Sequence, residues 1–428
     1  MQASVRVARF VFVCALTGCA LEAPSGNDGD VEEVGEASQA VTTPSITSPS
    51  SGSTFKTTSV TFKWAAGADE YWIYVGKSSG AKDVFQSASL GTATSFTVND
   101  LPLDGKKLYV TLQSRFGTSL KTSTKSYTAG VRKGLAVIAD FSDAKLEDHT
   151  GTGVKSSADL TAFLTQMQAH WAWLSRGVEV SKWTTVRVKF SQKFGATAFA
   201  NGSEYRGEAM RLAAQAVNLS DFDVNSDGLF DAVWIVGTSK GQSFGYMDGG
   251  TTREPLGYAF VDAQHDDSFS VGAYGNFNHE FGHCVKHLED LYGDYSTMGA
   301  ISLMSDSWAQ PANDFTSYER QLFGWLKPTT ITQTTRGITL SSANAGMNGL
   351  LIPTSRASEY FLVEYRVTPT SGYGSAGNKF DGLLVYHVLT NSSQGQSPPS
   401  SRWSPPTASL QRCRPRPTQL TRSIPATR

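Results

Sequence analysis

The sequence has 428 residues, enough for two or three domains that each bury a core of their own. Its formal net charge is -1 at pH 7, so no global basic field indicates nucleic acid as a partner. Charged residues make up 18% of the chain and glycine is abundant, a composition typical of secreted, strand-rich proteins. The four cysteines are too scattered along the chain to predict a disulfide framework.

The first 19 residues are typical of an export signal. Two arginines precede an apolar run, residues 10–16, which is too short to span a bilayer as a mature helix. The next segment, Leu16-Thr17-Gly18-Cys19, resembles a bacterial lipobox, which implies cleavage before Cys19 and a lipid anchor on that residue. The alternative is an ordinary secretory peptide cut near Ala20. In both cases we expect an exported protein, either an outer-membrane lipoprotein or an extracellular one.

Residues 20–44 are acidic, rich in glycine and serine, and poor in large apolar side chains. Such a segment cannot bury enough surface to fold, so we predict a disordered linker between the anchor and the folded chain. The alternative is that this stretch forms part of a propeptide.

Residues 45–129 carry short runs in which apolar and polar residues alternate, separated by turn clusters. The clearest of these runs are 59–64, 70–75 and 107–112. Period-two alternation predicts strands, and their spacing is typical of a β-sandwich that looks like a fibronectin type III or immunoglobulin-like domain. We expect Trp64 in its core. Trp72 and Tyr74 are expected to fill the core as well, the alternative being that they line a ligand groove.

From residue 133 the pattern changes to alternating strands and helices. Residues 134–141 and 232–236 are apolar runs typical of buried strands, and 186–190 alternates as a strand. Apolar residues recur with a helical period over 157–174 and again over 204–217. This alternation predicts an α/β (α+β) domain over residues 133–328.

An acidic segment precedes the strand at 232–236. It carries oxygen-bearing side chains at positions one, three, five and nine around a glycine, as the first part of an EF-type calcium loop does. The bidentate acid that closes a true EF-hand is missing, because Trp234 occupies its place. We predict a calcium site here, with an Asp-rich turn held by its own side chains as the alternative. The candidate ligands are Asp223, Asn225, Asp227 and Asp231.

The run Asn278-His279-Glu280-Phe281-Gly282-His283 is the strongest chemical motif in the chain. On a helix, His279 and His283 lie one turn apart on the same face, where both imidazoles can bind one zinc ion. Glu280 is then beside the metal and can act as a general base toward water. The alternative is an amphipathic helix with two surface histidines. Cys284 follows the motif and is predicted to be a buried bystander thiol rather than a nucleophile.

A catalytic zinc site needs a third protein ligand. In the metzincin pattern it falls ten residues after the first histidine, beyond a glycine that lets the chain turn back. Here the tenth position is Glu289 and the eleventh is Asp290, while Lys286 occupies the position of the glycine. On an unbroken helix Asp290 would lie about 16 Å along the axis from His279, too far to share a metal. The chain must therefore bend between Val285 and Asp290.

These residues resemble the immune inhibitor A family of secreted metalloproteases, which carry HEFGHxxGLPDLYD. This chain has HEFGHCVKHLEDLYGD, with one extra residue and no glycine between the two matching parts. The likeness extends over about residues 133–388. Its other matching segments are 133–143, the acidic turn with the strand after it, 302–305, 318–326, 359–366 and 382–387.

The resemblance implies a metzincin-like zinc protease domain over 133–328 and a β-rich C-terminal portion over 329–390. It implies that His279 and His283 are zinc ligands, that Glu280 is the general base and that Asp290 is the third ligand, with Glu289 as its rival. The implied activity is that of a monomeric endopeptidase acting on extracellular proteins or peptides. It further implies an apolar floor at Met304, a weaker role as a downstream metal-site acid for Glu319, and an oxyanion-stabilising tyrosine among Tyr292, Tyr295 and Tyr318.

Residues 391–428 differ abruptly in composition from the rest of the chain. The segment is rich in proline, serine and arginine and has no lysine or acidic residue. We predict disorder here and suspect a frameshift or a truncated reading of the gene, the alternative being a functional basic tail. The altered ligand loop and this tail also leave a second functional hypothesis open, in which the chain is a catalytically degenerate surface lipoprotein that acts as an adhesin or binding module.

Overall fold

The structure is a computed structural model that describes residues 42–148, 154–193, 202–223, 230, 232–239, 242–248, 274–286, 288, 291, 301–307, 311–343, 346–375, 381–389 and 411–412. The predicted signal segment and nearly all of the acidic linker lie outside these ranges. Residues Thr43–Arg428 form one compact unit, which is multidomain and sheet-rich, with several separate sheets. Within the ranges given, no helix has both the length and the apolar character required to cross a bilayer.

The first folded region, which begins near Thr43, is a sandwich of two antiparallel sheets. One sheet has the strand order β1-β2-β5 and the other has the order β4-β3-β6-β7. Predicted strands 59–64, 70–75 and 107–112 correspond to β2, β3 and β6. The strands are β1 Ile46–Ser48, β2 Val60–Trp64, β3 Glu70–Gly76, β4 Phe85–Gln86, β5 Ser95–Val98, β6 Lys107–Phe116 and β7 Ser119–Thr128.

The sandwich core lies between the two sheets and is almost wholly apolar. Trp64 belongs to it and is 4% exposed, as predicted. Trp72 and Tyr74 alternate along β3 with Tyr71, Ile73 and Val75, which belong to the cluster between the sheets. Tyr74 is nevertheless buried, at 5% exposed, as predicted, whereas Trp72 is only partly buried. Tyr74 is covered by Lys82, whose Nζ lies 3.8 Å from the ring centre.

A loop at one end of the sandwich pairs with the domain that follows. The amide of Leu103 donates to the Val178 carbonyl and the amide of Val180 donates to the Leu103 carbonyl, both at 2.9 Å. Asp100 of the same loop lies 3.7 Å from Lys327. The sandwich is therefore joined to its neighbour by backbone pairing and not only by the covalent chain.

The second region is a mixed sheet with helices on both faces. Its strand order is β11-β10-β8-β9, with β8, β9 and β10 parallel and β11 antiparallel to β10. The α/β expectation thus holds for this region. The elements are β8 Arg132–Asp140, α1 Ser157–Leu174, β9 Ser181–Lys189, α2 Gly202–Ala213, β10 Val233–Ser239, β11 Gln242–Asp248 and α3 Tyr274–Lys286.

The side chains of β8 explain why helices pack on both faces of this sheet. Strands buried on both faces need apolar side chains in both directions, and β8 supplies them. Ala136 and Ile138 face α1 and α3, whereas Leu135, Val137 and Ala139 belong to a second core that includes α2 residues. Helix α1 has the bounds that its periodicity predicts, and the Ser156 hydroxyl caps its first turn by accepting from the Asp159 amide at 3.1 Å.

The third region contains a short helix and a sheet with the order β12-β13-β14-β15-β16. Within the segment 391–428, for which the sequence predicts disorder, the structure describes Gln411–Arg412 alone, and these two residues form β16. They pair with β15 at the edge of the sheet, and the rest of the segment lies outside the described residues. The elements are α4 Ser317–Leu322, β12 Thr329–Thr330, β13 Leu350–Pro353, β14 Glu359–Arg366, β15 Gly382–Leu389 and β16 Gln411–Arg412.

Candidate metal centre

Helix α3 brings the two motif histidines together as the i, i+4 spacing predicts. The Nε2 atoms of His279 and His283 lie 3.0 Å apart, with the ring planes at 88°. Phe277, Phe281 and Cys284 form the opposite, buried side of the helix, in the same core as α1. The burial of that side fixes the rotation of α3 and therefore the direction of both imidazoles. Cys284 is 5% exposed, in agreement with its predicted burial.

Each imidazole forms a hydrogen bond to a backbone carbonyl through its Nδ1 atom. Nδ1 of His279 lies 3.0 Å from the Leu303 carbonyl oxygen, and Nδ1 of His283 bonds to the Leu288 carbonyl oxygen. A carbonyl can only accept, so each Nδ1 carries the hydrogen and donates it. In a neutral ring this leaves the lone pair on Nε2, directed toward the other histidine.

This donor set fits a metal ion. Two Nε2 lone pairs at 3.0 Å repel one another unless a proton or a cation lies between them. Neutral imidazole nitrogens whose other N–H is bonded to a carbonyl are the usual zinc ligands in proteins. His279 is 4% exposed and His283 is half-buried, so an ion between them would be reached from the His283 side.

Glu280 lies next to this pair. Its side chain is 15% exposed, and Oε1 lies 4.0 Å from Nε2 of His279. A carboxylate at that distance is too far to bond directly to the imidazole. It is close enough to reach a water molecule that also contacts the histidine nitrogens.

The candidates for the third ligand, Asp290 and Glu289, lie outside the described residues. Their neighbours Leu288 and Leu291 do not. Helix α3 ends at Lys286, inside the interval where the sequence requires a bend, and the Leu288 carbonyl accepts from His283. The amide of Leu291 donates to the Met304 carbonyl at 2.9 Å. Within the parts of the chain that the structure describes, no group of three or more His, Cys, Asp or Glu residues forms a metal cage.

Met304 forms an apolar support beneath the histidine turn. It is fully buried, and a Cβ added to Gly282 would lie 3.2 Å from its Sδ atom. Glycine between the two histidines therefore lets α3 closely approach the turn that contains Met304, residues 301–305, which we call the methionine turn. This geometry matches the floor that the resemblance implies for Met304.

Of the remaining predicted site residues, some are described by the structure and the others lie outside the described ranges. Glu319 is 1% exposed and both its oxygens bond elsewhere: Oε1 accepts from the Ser302 hydroxyl and Oε2 accepts from the Thr316 amide, each at 2.5 Å. Its carboxyl group caps α4, and burial raises its pKa. Tyr318 is buried in the C-terminal core. Tyr292, Tyr295 and three of the four calcium candidates lie outside the described residues, so Asp223 alone of that set is described.

Buried polar groups that no sequence motif marks surround α3. Asn278 donates to the Met167 carbonyl at 3.1 Å and to Nδ1 of His170 at 2.9 Å. His170 is fully buried, and burial lowers its pKa to about 4. Its position within the apolar stripe of α1 was the one available sequence signal, since a histidine there must find polar partners inside the core.

A second buried group consists of charged residues from three elements. Asp314 accepts from Arg176 Nη2 at 2.5 Å and also from Arg320. Although burial opposes it, the adjacent guanidinium groups hold the pKa of Asp314 below its usual value. Arg366 of β14 donates to the carbonyls of Ile301 and Phe315, which flank the methionine turn and α4. The C-terminal sheet is therefore part of the frame that holds the site.

Comparisons with known proteins found a weak similarity to a solved structure and no match to a family model or a curated protein. Among solved structures, the crystal structure of an engineered protein is similar at 14% identity, covering 21% of this chain and 20% of that chain, with a TM-score of 0.17. The chain thus spans about a fifth of that structure, and a score of this size carries no argument about fold or function.

Proposed function

We propose that the chain is a zinc-dependent endopeptidase that hydrolyses peptide bonds of extracellular proteins. The observation that carries the proposal is the histidine pair of α3, with both Nδ1 atoms held by carbonyls and both Nε2 atoms 3.0 Å apart. His279 and His283 are the proposed zinc ligands. Asp290 is the proposed third ligand, and Glu289 remains its rival.

In the proposed mechanism the residues of the chain bind, orient and move protons. Zinc, when bound, would supply a Lewis acid that polarises the scissile carbonyl and brings the pKa of water down to about 7. Glu280 takes a proton from the attacking water and delivers it to the leaving amine. The Leu303 and Leu288 carbonyls accept from Nδ1 of His279 and His283 and so hold the two rings with Nε2 available to the metal.

The domain assignments belong to the same proposal. We assign the α/β region and its methionine turn to a metzincin-like protease domain, and the two-sheet sandwich to a fibronectin type III-like domain. We retain export with a lipid anchor at Cys19, and calcium binding by Asp223, Asn225, Asp227 and Asp231, as proposals based on the sequence.

Metal content and proteolysis test the proposal together. We expect purified protein to hold close to one zinc per chain and to cleave casein, with activity lost to a chelator and restored by added zinc. His283→Ala should lose both zinc and activity, whereas His387→Ala, a histidine on β15 that pairs with Glu359, should lose neither. A folded chain that neither binds zinc nor cleaves casein would favour the degenerate binding-module alternative.

A further inference from the structure

The carbonyl that holds His279 belongs to a buried turn, residues 301–305. Ser302, Leu303 and Met304 of this turn are fully buried, and the Leu303 amide donates to the Asp314 carbonyl at 2.8 Å. A hydrogen bond weakens steeply as its angle departs from linearity. The direction of the Leu303 carbonyl therefore decides how the His279 ring is oriented.

The Ser302 side chain stabilises this turn from inside. Its hydroxyl accepts from the Met304 amide at 3.0 Å and donates to Oε1 of Glu319 at 2.5 Å. The other oxygen of Glu319 accepts from the Thr316 amide, which begins α4. The orientation of the Leu303 carbonyl is thus tied to α4 through one hydroxyl and one carboxyl group.

We propose that Ser302 and Glu319 form a positioning pair, which orients the Leu303 carbonyl and thereby sets the ring orientation and tautomer of His279 as a metal ligand. The proposal rests on the proposed function, since it assigns a role within the same metal centre. The hydrogen bonds of Ser302 and Glu319 go to the Met304 amide, to each other and to the Thr316 amide, so the proposed effect on His279 passes through the turn. Groups that hold a ligating histidine in this way commonly contribute a factor of 10 to 100 to metal affinity.

The contacts of Glu319 also provide a matched control. Its amide is within 3.5 Å of the Thr316 hydroxyl, whereas its carboxyl oxygen Oε1 accepts from Ser302. Thr316→Val removes that hydroxyl with little change in shape and leaves the Ser302–Glu319 bond intact. If the pair serves only to stabilise α4, Thr316→Val and Ser302→Ala should behave alike.

The test measures zinc affinity and the visible spectrum of the Co²⁺-substituted protein, using the full chain. We expect Ser302→Ala and Glu319→Gln to bind zinc about 10-fold or more weakly than wild type and to shift the Co²⁺ absorption bands. Thr316→Val should lower the melting temperature yet keep wild-type zinc affinity and spectrum. Glu319→Gln retains the side-chain shape and so supplies a second variant if Ser302→Ala does not fold.

The outcomes separate this inference from the proposed function. Wild-type affinity and spectrum in both Ser302→Ala and Glu319→Gln would overturn the positioning role while leaving the zinc site intact. An equal loss of affinity in Thr316→Val would overturn it too, because the effect would then be general destabilisation. A wild-type chain that binds neither Zn²⁺ nor Co²⁺ would overturn the proposed function, and the inference with it.

Discussion

The sandwich and the region around α3 differ in what they bury. In the sandwich, the buried polar residues are Ser87, Thr111 and Ser114, all uncharged. Around α3 the core includes a histidine and several ion pairs between residues distant in sequence, such as Arg176 with Asp314. Apolar cores tolerate change roughly in proportion to the volume lost, whereas buried charges depend on particular partners. The stability of the sandwich should therefore be separable from the metal site, and that of the C-terminal sheet should not.

The largest expected effect concerns chemistry alone. Glu280→Gln replaces the proposed base by a side chain of the same shape that cannot accept a proton, so kcat should fall by a factor of about 10² to 10⁴. Zinc content should stay at the wild-type level. Casein cleavage and metal analysis on the same sample measure both quantities. A variant with full activity would remove Glu280 from the mechanism.

Arg366→Met tests the dependence of the site on the C-terminal sheet. Arg366 is 6% exposed and lies 3.0 Å from Glu364. Its guanidinium group donates hydrogen bonds to the carbonyls of Ile301 and Phe315. Its loss leaves the Glu364 carboxylate buried without its cation, which typically costs about 3–5 kcal/mol. Urea unfolding measures the change.

The matched control for Arg366→Met is Arg356→Met, located just before the same strand. The Arg356 side chain is 79% exposed and 3.9 Å from Glu359, so its loss should cost about 0–1 kcal/mol. Equal effects of the two substitutions would contradict the contrast between the regions.

Leu112→Ala tests whether the apolar sandwich core can be destabilised without affecting the metal site. Leu112 is fully buried in the sandwich core, and truncating it should destabilise the sandwich by about 2–5 kcal/mol. Because the buried polar residues of the sandwich are uncharged, we expect zinc affinity to match wild type. Thermal unfolding together with a zinc titration measures the two quantities, and a weakened zinc site would show that the regions are coupled.

The smallest expected effect is a pH dependence from His170. The pKa of His170 is about 4 in the folded protein against 6.5 as its ordinary value. The unfolded chain therefore binds more protons between these values, and stability should fall by up to about 1.4 kcal/mol per pH unit as pH decreases from 6.5 to 4. His170→Asn should lessen this slope in urea unfolding measured across that range, whereas an unchanged slope would assign it to other groups.

The elements that the sequence predicts best are those whose own residues determine them. The apolar period of α1, the continuous apolar run of β8 and the alternation in β3 and β6 each specify one buried face. Strand β7 is different. Its sequence, SLKTSTKSYT, is polar apart from Leu120 and Tyr127, and it is a strand because it pairs with β6 along ten residues.

The candidate site was predictable only in part. The HExxH spacing identifies the histidine pair and Glu280, because helix geometry alone brings them together. It cannot identify Ser302, Glu319 or Arg366, because their roles arise from hydrogen bonds between residues distant in sequence. Such contacts produce no periodic pattern of residue types. For the same reason Glu319, chosen by resemblance as a metal-site acid, caps α4 instead.

The pairing of Leu103 with Val178 and Val180 bears on any attempt to exchange the sandwich for another domain. Two backbone hydrogen bonds across that junction require an extended segment of matching length and spacing from the incoming domain. A shortened chain that starts after Ala129 would expose the same backbone groups to solvent and offer them to other chains. In domain-exchange experiments, the sandwich and the domain after it should therefore be transferred together, because the sandwich cannot be replaced without losing this pairing.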